Sequence, residues 1–232
     1  MNADRRAAIW AGVFYILASA APISTLFFVG FLGGGVAGET APDYLATLAA
    51  NETQVVIGML VEMVWALAVV GVLVNLYPIL RKHSEVAALG FSALRFIEAI
   101  SDAAGSILLL TLLTLSQEAA KAGVPEVSYF QATGDLLLAA REWNFLIGSG
   151  LVWSLSALVL NAALYQSRLV PRWLSVWGFA GAALAFATHV LQAFSVEVTD
   201  FVFAPIGVQE MVFAVWLIVK GVDLSAVASE PA

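Results

Sequence analysis

Glu62, Arg95, Glu98, Asp102, Arg141, Glu142, His189 and Glu210 interrupt runs of the chain that are otherwise apolar. Arg95, Glu98 and Asp102 follow an i, i+3, i+7 spacing, which aligns them on one stripe of a helix. Arg141, Asn144 and Gly148 repeat that spacing, His189 and Gln192 form an i, i+3 pair, and Gln209 and Glu210 are adjacent. Carboxylates and guanidiniums so placed can hold a cation, carry a proton, or hydrogen-bond a polar ligand. The acids in this set outnumber the two arginines, a surplus that calls for bound protons or a held cation. Other chemistries lack their residues. With only His83 and His189, a three-imidazole zinc site is impossible, and neither a resident metal nor a cofactor is expected. Thiol redox chemistry needs cysteine, and the chain has none. Gly148-Ser149-Gly150 with His189 is only a thin likeness to an intramembrane serine–histidine dyad.

The elements that must position these residues are membrane spans. Hydrophobic residues make up 61% of the 232 and charged residues 12%, against roughly 45–50% and about 25% in soluble domains. That excludes a water-soluble globule, a disordered chain and a disulfide scaffold. Apolar runs of spanning length cover about 7–32, 53–80, 86–116, 135–165, 173–196 and 201–219. The expected fold is therefore all-α: a polytopic membrane protein with a six-transmembrane-helix bundle in one integral membrane domain, 1–232. A short surface helix is expected from Pro42 to Ala50, with Tyr44, Leu45 and Leu48 on one face. Pro205 is expected to mark a break. Arg5, Arg6, Arg81, Lys82, Arg168, Arg172 and Lys220 fall on one side, which by the positive-inside rule puts both termini in the cytoplasm. The net charge of −7 comes from the opposite loops and the spans, so no nucleic-acid partner is expected; the bilayer is the expected partner.

Span length decides which charges are trapped. If the third span began after Asp102, only residues 103–116 would remain, about 21 Å of helix, too short to cross. Asp102 is therefore inside, with Glu98 below it. Glu210 divides the sixth span near its midpoint, and neither half can cross alone. Glu62 and His189 belong to the outer part of the membrane, and Arg95 has the reach to meet the cytoplasmic interface. Arg141 and Glu142 stand either in a polar pocket or at the outer interface, because residues 143–165 suffice for a span without them. Trp143, Tyr165, Trp173 and Trp177 lie near span ends, where aromatic belts sit.

Several phrases carry a family likeness: Tyr77-Pro78-Ile79-Leu80-Arg81, Arg95-Phe96-Ile97-Glu98, Arg141-Glu142-Trp143, Leu169-Val170-Pro171-Arg172-Trp173-Leu174 with Trp177-Gly178, and Pro205 through Gln209-Glu210 to Trp216-Leu217-Ile218-Val219-Lys220-Gly221. Together they resemble the bacterial membrane family known as domain of unknown function 4386. The resemblance implies a six-helix protein of the bacterial inner membrane and brings no activity with it. Its charged positions fall on Arg95, Glu98, Arg141 and Glu210. The functional expectation is a small polar or lipid-like ligand in an outward-facing intramembrane pocket of Glu62, Arg95, Glu98, Asp102, Arg141, Glu142, His189 and Glu210. Proton- or cation-coupled transport is one alternative; buried ion pairs that only fix helix packing are another.

Overall fold

The computed structural model describes residues 3–29, 44–122 and 127–223. Among the described residues all regular structure is helical, with no strand. Ala3–Val29, Glu52–Leu80, Glu85–Lys121, Tyr129–Ser167, Arg172–Ala193 and Asp200–Val219 are long and apolar enough to cross a bilayer. The chain is a multi-pass membrane protein. Its helices are α1 (Ala3–Val29), α2 (Tyr44–Ala50), α3 (Glu52–Leu80), α4 (Glu85–Lys121), α5 (Val127–Phe145), α6 (Trp153–Ser167), α7 (Arg172–Ala193) and α8 (Ala204–Val219). A π-helical turn, Leu146–Val152, joins α5 to α6 without a break, and a 3₁₀ turn, Asp200–Phe203, leads into α8.

α1 lies along α3 and α8, and α3 lies along α4. α4 also meets α2, α5, α6 and the π turn, which makes it the central helix, while α7 packs between α6 and α8. α4 is capped by Ser84, whose hydroxyl accepts from the Ala87 N–H (3.2 Å), with Glu85 in its first turn and Lys121 in its last, each sign suited to the helix dipole. At 37 residues it is about 55 Å long, longer than about 30 Å of hydrocarbon requires.

Among the described residues, two of the four buried apolar clusters are much the larger. One, around Leu76, Ile79, Phe91, Leu164, Leu174 and Leu217, occupies the end where Lys82 pairs with Asp4 (2.6 Å) and Arg5 caps α8. The other gathers Leu48, Val55, Leu109, Leu112 and Leu138. On α4 the first cluster takes Phe91 and the second Leu109; the residues between them, Arg95 to Ser106, carry the buried polar stripe. Exposed Phe27, Ile107 and Leu136 belong to the outer surface, where hydrocarbon rather than water is the solvent.

Some boundaries differ from the sequence reading. Residues 30–32 of the expected first span and Pro42 of the expected short helix lie outside the described residues. α2 buries Tyr44, Leu45 and Leu48, the three residues expected on one face, and leaves Ala46 and Ala50 exposed. The Tyr44 hydroxyl donates to Asp135 Oδ1 (3.1 Å); burial, and then the nearby carboxylate, push this phenol above its ordinary range. Pro205 is not a break: it sits in the first turn of α8, where its missing N–H has no intrahelical partner to lose. α7, the expected fifth span, ends at Ala193, and Ser195 follows at φ 59°, so 194–195 form a turn.

Candidate functional site

Six ionisable side chains are buried together in mid-bundle: Glu62, Arg95, Glu98, Asp102, Arg141 and Glu210. α4 supplies three of them, and its polar stripe continues one turn further to Ser106. Asp102 sits next to the midpoint of α4 and Glu210 next to that of α8.

Arg95 organises the lower part. It is 1% exposed, so every bond it makes is made inside the protein. Its Nη1 donates to both oxygens of Glu98 (3.1 Å each) and its Nη2 to the Tyr15 hydroxyl (2.9 Å), with Glu210 Oε1 at 3.8 Å. The rings of Tyr15 and Phe91 lie 5.3 and 5.7 Å from the guanidinium carbon. Glu210 accepts further bonds from Trp153 Nε1 (3.2 Å) and Ser19 Oγ (3.3 Å). Arg95 therefore ties α1, α4 and α8 together in the interior and does not extend to the end of the bundle. The sequence reading missed Tyr15, Ser19 and Trp153; the signal available was Tyr15 and Ser19, an i, i+4 polar pair on an otherwise apolar helix.

Arg141 organises the upper part. It pairs with Glu62 through both of its terminal nitrogens and donates to the Gly105 carbonyl. Its guanidinium lies 4.7 Å from the Phe145 ring centroid, and Phe145 stacks on Trp65 at 5.9 Å. Gly105 makes this possible, since a Cβ there would run into the Phe145 ring. Glu62 also accepts from Ser106 Oγ (3.1 Å). Of the two placements left open for Arg141, the structure has the interior one. Glu142 points elsewhere, as its place about 100° further around the helix requires: it is half-buried, and among the described residues it has no hydrogen bond or ion pair.

Asp102 lies between these two constellations, 0% exposed. Its Oδ1 accepts from Ser149 Oγ on the π turn (2.5 Å), and its Oδ2 is buried with no partner among the described residues. The π turn is what delivers Ser149. Asn144 at its foot is bonded to α4 through Ser101, Nδ2 to Ser101 O at 2.8 Å and Ser101 Oγ to Asn144 O at 2.8 Å, and Gly148 packs directly on Ser101. Single π turns of this kind are often found at functional sites.

His189 does not join the acids. Its Nδ1 lies 3.1 Å from Ser154 Oγ, and its ring stacks on Phe203 at 4.8 Å and covers Gly150. Ser149 bonds Asp102 and not His189, so the expected pairing of Gly148-Ser149-Gly150 with His189 does not form; the serine beside His189 is Ser154. The buried acids outnumber the buried arginines by two, and each arginine is already committed to a neighbouring carboxylate. Two cavities at the ends of the bundle, one lined by Phe27, Phe28, Asn51 and Ile57 among others and one by Arg168, Arg172, Trp216 and Lys220 among others, contain none of these residues.

The chain matches no curated protein and no solved structure. The sequence model of a family described as a domain of unknown function (DUF4386) matches residues 10–221, nearly its whole length, and the protein belongs to that family.

Proposed function

We propose that the protein binds a small cation, a proton or a monovalent metal ion, at Asp102 in mid-membrane, as the coupling centre of a membrane carrier. The observation that supports this reading is the buried Oδ2 of Asp102, which has no partner among the described residues, beside a surplus of buried carboxylate charge. Leaving such an oxygen unsatisfied in a dry interior costs about 1–3 kcal/mol or more, and a bound cation removes both that cost and part of the charge surplus. Arg95 and Arg141 have a different task in this reading. Each is paired with its own carboxylate, so the two pairs set the helix packing around the centre. The carrier sits in a bacterial inner membrane with both termini cytoplasmic, in keeping with the basic residues gathered at one end.

Thermal unfolding of purified protein tests this. Ligand that binds only the folded state at about 100 times its Kd adds about 2.7 kcal/mol of stability. Added Na⁺ or K⁺, or acidification, is expected to raise the melting temperature of the wild type and of Glu142→Gln, and to raise that of Asp102→Asn less. A wild-type response identical to that of Asp102→Asn under all three conditions overturns the reading.

A further inference from the structure

The basic end of the bundle contains a cavity of about 630 Å³ that the intramembrane centre does not use. Arg168, Pro171 and Arg172 of the α6–α7 turn line one side, and Trp216 and Lys220 of α8 line the other. Arg168 occupies the C-cap of α6 at φ 54°, the left-handed position usually filled by glycine, and the turn it makes brings two arginines into one lining. The guanidinium of Arg172 lies over the Tyr165 ring at 4.9 Å. Among the described residues Arg168, Arg172 and Lys220 have no carboxylate partner. Asp223 is the acidic member of the lining, its backbone N–H bonded to Leu169 O (2.9 Å), so positive charge prevails.

The backbone at this end has the same sign. α7 begins here at Arg172 with no side-chain cap, so its first-turn N–H groups and positive dipole end face the same region. The opposing carbonyl end of α8 is already satisfied by Arg5, which donates to Leu217 O (2.8 Å), Ile218 O (2.6 Å) and Val219 O (3.0 Å). Trp173, Tyr165 and Val219 are exposed around the cavity's level, as side chains at the edge of a bilayer are. Cationic side chains, open N–H groups and an aromatic wall at the membrane surface suit a phosphate that arrives with its own acyl chains.

We propose that this cavity seats the phosphate headgroup of an anionic phospholipid. Native mass spectrometry of the full chain, released from micelles with equal phosphatidylglycerol and phosphatidylcholine, tests it. The wild type is expected to retain phosphatidylglycerol preferentially. Retention should fall about fivefold for each basic side chain removed in Arg168→Gln, Lys220→Gln and the Arg168→Gln/Arg172→Gln pair. Arg81→Gln, at the same end but outside the cavity, and Asp102→Asn should retain the lipid like the wild type, which separates this site from the cation centre. Equal retention of both lipids, or an unchanged preference in Lys220→Gln and the arginine variants, overturns the proposal. Displacement of the lipid by millimolar inorganic phosphate also overturns it, and assigns the site to a soluble anion instead.

Discussion

Arg95 meets Glu98, Tyr15 and Glu210 in a space closed to water, so its loss strands three polar groups at once. Removing one partner of a buried pair costs about 3–5 kcal/mol, and Arg95→Met is expected at or above that range, measured by unfolding in mixed micelles. Glu62→Gln and Arg141→Met should each fall within it. The double variant Glu62→Leu/Arg141→Met should recover most of the loss, because no uncompensated charge remains; a double variant as unstable as the two losses summed would contradict the pairing. Tyr15→Phe removes a single buried hydrogen bond and should cost about 1–3 kcal/mol. The sequence made the depth of these residues legible, because a span with Asp102 or Glu210 outside the membrane is too short to cross. It did not show who pairs with whom. Arg141 reaches back to Glu62 and Arg95 to Tyr15, contacts between helices far apart in the chain, and hydroxyls on membrane helices carry no signal that separates a ligand from a packing residue.

At the scale of elements, the spans were legible because hydrocarbon thickness sets a length that apolar runs either meet or miss. Their ends were less so. Pro205 reads as a break in sequence, yet it serves as a helix start once Asp200–Phe203 is wound as a 3₁₀ turn. The π turn was invisible, since Leu146–Val152 has the composition of an ordinary membrane helix. It also carries a test. A Cβ at Gly148 would collide with the Ser101 side chain, which is held by Asn144 at the end of α5, just before the turn. Gly148→Ala is expected to cost about 1–3 kcal/mol, and, by shifting Ser149, to weaken the cation response of the melting temperature, as Ser149→Ala is also expected to do. A stable Gly148→Ala protein with an undiminished cation response would show that the turn has no part in the centre.

For the whole molecule, the ties between Lys82 and Asp4, Arg5 and α8, and Asp223 and Leu169 gather both ends of the described chain at one face of the bundle. That face is the basic one, and its place in the cytoplasm is open to direct test. The chain has no cysteine, so single cysteines report without background. Ala120→Cys, at the far end of α4, should react with an impermeant maleimide in intact cells, and Gln166→Cys, at the basic end, only after permeabilisation; the reverse pattern would invert the topology. The central claim is that Asp102 holds a cation on an oxygen that has no partner among the described residues. Infrared spectroscopy of the purified protein reads that carboxyl directly, by difference between wild type and Asp102→Asn. The account predicts a difference band that is either a carboxylic-acid carbonyl stretch or a carboxylate stretch that moves when Na⁺ is exchanged for K⁺. A carboxylate band insensitive to both pH and cation would contradict it.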